Sequence, residues 1–144
     1  MTTWVKARAI LNWLNGSTLA GLLVAKLGGA KLTRGPDRLW LAEGYRLSFP
    51  VAGAFTIGNV LLTASAFATR EERIPGTLAH EARHSSQYAC LGVFFLPVYI
   101  VAMGWSWLRT GDRAARHFLE RMANLKDGGY KDVPVRPLKS LFTR

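Results

Sequence analysis

Hydrophobic side chains near the start of the chain recur at the spacing of an α-helix. They are Trp4, Ala7, Leu11 and Leu14, which fall on one side of a helix over residues 3–14. The Asn15-Gly16 pair ends this helix, and Ser17 or Thr18 can cap a second one that runs to Gly28. The pattern therefore predicts a pair of short N-terminal helices.

From residue 30 to residue 63 the pattern changes to short runs that favour strands. Turn-forming sequences such as Gly35-Pro36-Asp37 and Gly58-Asn59 separate the runs. The predicted strand segments are residues 31–33, 38–41, 45–48, 54–57 and 60–63. We expect a small, mostly antiparallel sheet between two helical parts, which is an α+β fold.

The long apolar segment over residues 85–108 contains no charged side chain. A bilayer needs about 20 such residues, so this segment is long enough to cross one, although Pro97 interrupts it. Trp105 and Trp107 lie near one end, as interfacial aromatic residues often do. Two interpretations stay open, which are a buried pair of helices in a globular core and membrane contact or insertion over residues 90–108.

The length of 144 residues suits one domain. We expect a single metal-binding domain over residues 1–130 with its core at 54–130. A charged loop is predicted at residues 69–75, and an irregular basic tail at 131–144.

The net charge of +10 favours anionic partners, of which an anionic membrane surface is one. A basic, solvated surface without such a partner is the alternative. No nucleic-acid-binding motif is present, so specific binding of nucleic acid is not expected. The single Cys90 suits a reducing compartment, and no segment reads as a cleavable signal. We therefore expect a location in the cytoplasm or on the cytoplasmic face of the membrane.

The clearest chemical motif is HEARH at residues 80–84, which follows the pattern H-E-x-x-H. His80 and His84 lie one helical turn apart on the same face and can bind one tetrahedral metal ion. Glu81 is rotated by about 100° around the helix axis. It points beside the metal, where a carboxylate can take a proton from a water. The motif predicts a zinc site of the catalytic type, and an incidental histidine pair on a surface helix is the alternative.

A catalytic zinc site needs a third protein ligand. The metzincin pattern would place Gly at position 87 and His at position 90, whereas this chain has Gln87 and Cys90. Cys90 would also lie nearly two turns along the helix, which makes it a poor ligand.

Glu120 is the better candidate for the third ligand. Asp112 can cap a helix on which His117 and Glu120 share a face at the spacing i, i+3. The alternative is a solvated Glu120 carboxylate that pairs with Arg116 or Arg121.

The sequences HEARHSSQ and FLERMAN resemble the zincin superfamily, in its gluzincin branch, and its small bacterial minigluzincin-like domains. The resemblance covers roughly residues 54–130 and includes an apolar segment similar to LGVFFLPVYI and a GGY-like ending. It implies a zincin-like fold and a zinc metallopeptidase that acts on a peptide or protein substrate. By the same resemblance, His80, His84 and Glu120 would be the ligands and Glu81 the general base.

Residues around the ligands complete the predicted site. Asn124 stands where many members of this group have Asp, and its amide oxygen can accept the N–H of a ligand histidine. Gln87 marks the H-E-x-x-H-x-x-Q version of the motif. His117 and Tyr130 are both candidates to stabilise a tetrahedral intermediate. The alternative function is a non-catalytic, membrane-associated or partner-binding protein with a structural metal site.

Overall fold

The computed structural model describes residues 2–48, 50 and 52–137, and it confirms the α+β class. The helices are α1 (Thr3–Leu14), α2 (Ser17–Leu27), α3 (Phe67–Arg73), α4 (Thr77–Leu91), α5 (Phe95–Thr110) and α6 (Phe118–Met122). The strands are β1 (Lys31–Arg34), β2 (Trp40–Glu43), β3 (Ala54–Ile57) and β4 (Val60–Thr63). A single 3-10 turn, Gly92–Phe94, joins α4 to α5.

The four strands form one mixed sheet in the order β1-β2-β4-β3. The pairs β1–β2 and β3–β4 are antiparallel, as predicted, but β2 and β4 are parallel. All of β4 is buried, because it lies between two strands and is covered on both faces. Val60 and Leu62 pack towards Ala25 of α2, whereas Leu61 packs against Phe67 on the face that α3 and α4 cover. The sheet therefore holds α4, which carries the HEARH motif, in a fixed position.

Two local predictions are wrong. Residues 45–48 form no strand, because the backbone N–H of Arg46 donates to the carbonyl of Gly28, at the end of α2, and not to a neighbouring strand. Residues 69–75 are not a loop, since Phe67–Arg73 is a helix. Its first residue is buried, and its backbone N–H donates to Oε1 of Glu43 at 2.7 Å.

Helix α1 has the predicted length, but its apolar side faces outward. Trp4, Leu11 and Leu14 are exposed, and Leu14 keeps 78% of its accessible surface. The side that packs on the rest of the protein carries Arg8 and Asn12 instead. Polar contacts, and not an apolar stripe, therefore attach α1 to the fold.

Asn12 is the centre of that attachment. Its buried amide donates to Oδ1 of Asn59 at 3.0 Å and to the backbone oxygen of Ser85 at 2.9 Å. The amide of Asn59 in turn donates to the hydroxyl of Thr18 at 2.9 Å. Because buried amides need their partners, this network joins α1, α2 and the β3–β4 turn to α4.

The C-terminal part departs from the helix that was predicted to begin at Asp112 and to carry both His117 and Glu120. Oδ1 of Asp112 accepts the backbone N–H groups of Ala114 and Ala115, each at 2.8 Å, as expected of a cap. The residues that follow are turns, however, and the regular helix is limited to Phe118–Met122. Residues 131–137 have no regular secondary structure, and the rest of the predicted tail lies outside the described residues.

Candidate metal centre

Helix α4 brings three buried side chains of the HEARH motif to one place. His80 and His84 share a face because they are one turn apart, and Glu81 lies beside them. His80 keeps 2% of its accessible surface. Burying two imidazoles and a carboxylate is costly unless they bind one another or a ligand.

The three predicted ligands meet at atoms that suit one metal ion. Nε2 of His80 lies 3.0 Å from Oε2 of Glu120, and Nε2 of His84 lies 3.4 Å from the same oxygen. The two Nε2 atoms are 3.1 Å apart. Ligands at bond lengths of about 2.0–2.1 Å in a tetrahedral arrangement are themselves about 3.3 Å apart. The buried His80, His84 and Glu120 group can therefore hold a metal ion.

The second nitrogen of each ligand histidine is already used. Nδ1 of His84 donates to Oε1 of Gln87 at 2.8 Å, and Nε2 of Gln87 donates to the backbone oxygen of Leu119 at 2.8 Å. Nδ1 of His80 donates to the backbone oxygen of Ala123 at 2.9 Å. These contacts fix the tautomers, so that both Nε2 lone pairs point towards Glu120.

Asn124 contacts His80 in a way that the sequence did not predict. The oxygen that faces Nδ1 of His80, at 3.0 Å, is the backbone carbonyl of Asn124 and not its side-chain amide. Asn124 has a φ of 68°, a left-handed conformation that Asn adopts more readily than most residues. The residue therefore acts through its backbone, by turning consecutive carbonyls towards one imidazole.

The two oxygens of Glu120 have different surroundings. Oε1 accepts a hydrogen bond from the hydroxyl of Tyr99 on α5. Oε2 is buried, and the groups that face it are the Nε2 atoms of His80 and His84. A buried oxygen of this kind that faces two imidazole nitrogens is what a metal ligand requires.

The charges of the cluster shift its proton equilibria. Burial alone would raise the pKa of Glu120, but hydrogen bonds from His80 and His84, which donate through Nε2 when their rings are protonated, hold that pKa well below the ordinary value. Burial alone would lower the pKa of His84, but the hydrogen bond and charge of Glu120 outweigh it and raise that pKa. The pKa of Glu81 is raised by burial, although the nearby His84 and a hydrogen bond from Thr56 oppose the shift.

Glu81 is held on the side of the site that faces the sheet. The hydroxyl of Thr56 on β3 donates to Oε2 of Glu81 at 2.6 Å and also contacts its backbone oxygen at 3.1 Å. Because β3 is an edge strand, Glu81 lies between the three-ligand group and the sheet edge.

His117 and Tyr130 lie next to different members of the cluster. The ring of His117 is buried, 4.2 Å from the ring of Tyr99, and neither of its nitrogens has a hydrogen-bond partner among the described residues. Burial lowers its pKa. The ring of Tyr130 lies 6.1 Å from that of His80 and is partly exposed. All three histidines of the chain are thus gathered at one place.

Other candidate residues lie away from the three ligands. Cys90 is exposed and does not belong to the group. Arg121 and Arg116 approach Oδ1 of Asp132 at 3.2 and 3.8 Å, so the alternative in which they pair with Glu120 is wrong.

Sequence reasoning missed Tyr99 and Thr56. Tyr99 is the one hydroxyl-bearing residue in the apolar stretch 91–105. A single polar group in such a stretch could have indicated a buried hydrogen bond to the site. Thr56 lies in an ordinary strand pattern, and its role follows only from the packing of β3 on α4.

Gly128 fits tightly against a ligand. A Cβ atom at this position would lie 2.6 Å from Cε1 and 2.8 Å from Nε2 of His80. Only glycine therefore lets the C-terminal turn close over the imidazole.

The chain matches no protein-family model, no curated protein and no solved structure.

The pKa shifts predict how the binding of a metal ion depends on pH, with zinc as the probe. His84 and Glu81 both have raised pKa values, so in the metal-free protein each favours folding at low pH, and each contribution is lost as the pH rises through the folded-state pKa. Glu120 has a lowered pKa, and its contribution changes only in more acidic solution. Zinc needs a neutral His84. The zinc-induced rise in melting temperature should therefore be larger at about pH 8 than at about pH 5.5. A rise that is equal at both values would contradict this account.

The substitution Gly128→Ala tests the close contact with His80. We expect zinc affinity to fall about 10-fold to 100-fold, because the methyl group displaces the imidazole. Gly104→Ala on α5 is the matched control, since a Cβ there meets no atom within 4 Å. Titration with zinc by calorimetry measures both variants, and equal affinities for the two would refute the contact.

Proposed function

We propose that the protein is a zinc-dependent hydrolase that cleaves peptide bonds. The observation that carries the proposal is the three-ligand group of His80, His84 and Glu120 with the carboxylate of Glu81 directly beside it. Two imidazoles and one carboxylate form a donor set of catalytic zinc sites, which leaves a further position for water or substrate.

Zinc in such a site lowers the pKa of a bound water to about 7 and polarises a substrate carbonyl. In the proposed reaction, Glu81 accepts the proton of the attacking water and then passes it to the leaving amine. Its raised pKa suits the first step, because a carboxylate with a higher pKa is the stronger base and takes the proton of the water more readily. The hydrogen bond from Thr56 keeps the carboxylate oriented while this happens.

Tyr130 is the better candidate to donate a hydrogen bond to the tetrahedral intermediate. It lies beside His80 and is partly exposed, so a substrate can reach it. Burial and the carboxylates of Glu120 and Glu81 raise its pKa, so that the hydroxyl keeps its proton at neutral pH. His117 is fully buried behind Tyr99, and we assign it a packing role.

Tyr130 also borders a cavity next to the site, where part of a substrate could lie. A cavity of about 330 Å³ is lined by Tyr130, Trp107, Asp112 and Arg113, among others. On the opposite side of Glu81, β3 forms an edge of the sheet. Because an extended peptide can add to an edge strand by main-chain hydrogen bonds, we propose an extended peptide segment as the substrate.

The alternative function, a structural metal site without catalysis, has less support. Structural zinc sites are usually closed by four protein ligands, whereas the described residues supply a group of three. A structural site also gives no reason to bury a fourth charged group, Glu81, beside the ligands.

The substitution Glu81→Gln separates the two functions. We expect zinc content to stay near one ion per chain and peptide hydrolysis to fall by about 10²-fold or more, because the amide cannot accept the proton. Zinc content is measured by elemental analysis and hydrolysis on a mixed peptide library. Glu72→Gln is the matched control, because Glu72 is exposed on α3.

Zinc-loaded wild-type protein that cleaves no peptide in the library would refute the proposed activity. Glu81→Gln protein that retains full activity would refute the role of Glu81.

A further inference from the structure

Helix α5 has two faces that serve different purposes. Its inner face holds Phe95, Tyr99, Ala102 and Ser106, and Tyr99 binds the ligand Glu120. Its outer face and the preceding turn are exposed and wholly apolar. These exposed residues are Val93, Phe94, Leu96, Ile100, Val101, Trp105, Trp107 and Leu108. A helix that is apolar all round is normally covered by protein or by lipid, and here the outer half is not covered by this chain.

The apolar surface continues onto the end of the first helix. Gly92 lies against the side chain of Asn15, whose amide donates to the backbone oxygen of Tyr88 at 3.1 Å. This contact places the end of α1 beside the start of α5. Leu14 and Val93, the chain neighbours of Asn15 and Gly92, keep 78% and 74% of their accessible surface. We call Leu14, Val93 and Phe94 the apolar corner.

The other end of α5 is basic and aromatic. The guanidinium of Arg109 lies 5.4 Å from the ring centre of Trp105. The backbone N–H of Arg136 donates to the carbonyl of Arg109 at 2.8 Å, and Arg113 is exposed in the following turn. Within the part of the chain that the structure describes, none of these three arginines pairs with a carboxylate. Tryptophan beside unpaired cations is typical of the headgroup level of a membrane.

The fold favours a helix that lies on a bilayer over one that crosses it. By length and composition, the stretch Thr77–Thr110 could span a membrane. Its first half, however, carries the buried metal cluster and packs on the sheet. The remaining α5 has 16 residues, or about 24 Å, against a hydrocarbon core of about 30 Å. Its inner face also stays bound to Glu120.

We propose that the outer face of α5 and the apolar corner insert into the interfacial layer of an anionic lipid bilayer. In this arrangement Arg109, Arg113 and Arg136 contact the lipid phosphates. The net charge of +10 adds a long-range attraction of the same sign. This docking does not depend on the hydrolytic activity, so either proposal can fail without the other.

Flotation of the full chain with lipid vesicles tests the proposal. We expect the protein to float with vesicles that contain phosphatidylcholine and about 30% phosphatidylserine, and binding to pure phosphatidylcholine to be at least about tenfold weaker. The variant Leu96→Gln/Ile100→Gln/Val101→Gln should lose more than about tenfold of its binding while keeping its zinc content. Leu47→Gln is the control, since Leu47 is also more than half exposed but belongs to none of these helices.

A labelling experiment covers the case in which the triple variant fails to fold. In a Cys90→Ser background, the variant Ile100→Cys carries an environment-sensitive fluorophore, and Glu72→Cys carries the same label as a control. Anionic vesicles should increase and blue-shift the emission of the first label and leave the second unchanged.

Protein that stays monomeric in solution and does not float with anionic vesicles would overturn the proposal. A stable dimer that buries the label at position 100 without lipid would overturn it as well, because a second copy would then cover α5.

Discussion

The rest of the site depends on one interaction, in which the buried carboxylate of Glu120 contacts Nε2 of both His80 and His84. Three polar groups are removed from water at one point, and their desolvation is compensated only by mutual contact or by a bound cation. Contacts around the three side chains hold them in these positions. Gln87 and the carbonyl of Ala123 orient the imidazoles, and Tyr99 holds the second carboxylate oxygen.

The fold brings this carboxylate to the histidines through contacts that are mainly polar. Helix α4 is held by the amide network around Asn12 on one side and by β3 on the other, where Thr56 binds Glu81. The helix that carries Glu120, α6, has only five residues. Contacts from α4 hold it in place, because Gln87 donates to the carbonyl of Leu119 and His80 to that of Ala123. The consequence is that the apolar surface of α1 and α5 is not needed for the core and remains outside.

The sequence predicted what local geometry decides. His80 and His84 share a helix face whatever the rest of the chain does, and Glu120 was expected from the spacing of charged and apolar residues in FLERMAN. The two hairpins follow from their turn residues. The parallel pairing of β2 with β4 joins separate hairpins and has no local signal. The same holds for Tyr99 and for the backbone role of Asn124, since both depend on how distant elements pack. The apolar stripe of α1 predicted a buried face, but the structure leaves that face exposed. Periodicity identifies the hydrophobic face of a helix and does not identify what covers it.

X-ray absorption spectroscopy of the zinc-loaded protein tests the central claim most directly, because it counts the ligands around the metal. The account predicts a four-coordinate zinc with two imidazole ligands, and with oxygen ligands at about 2.0–2.2 Å. The variant Glu120→Ala should lose an oxygen ligand or bind no zinc at all. A shell with fewer than two imidazoles, or one that is unchanged in Glu120→Ala, would contradict the proposed centre.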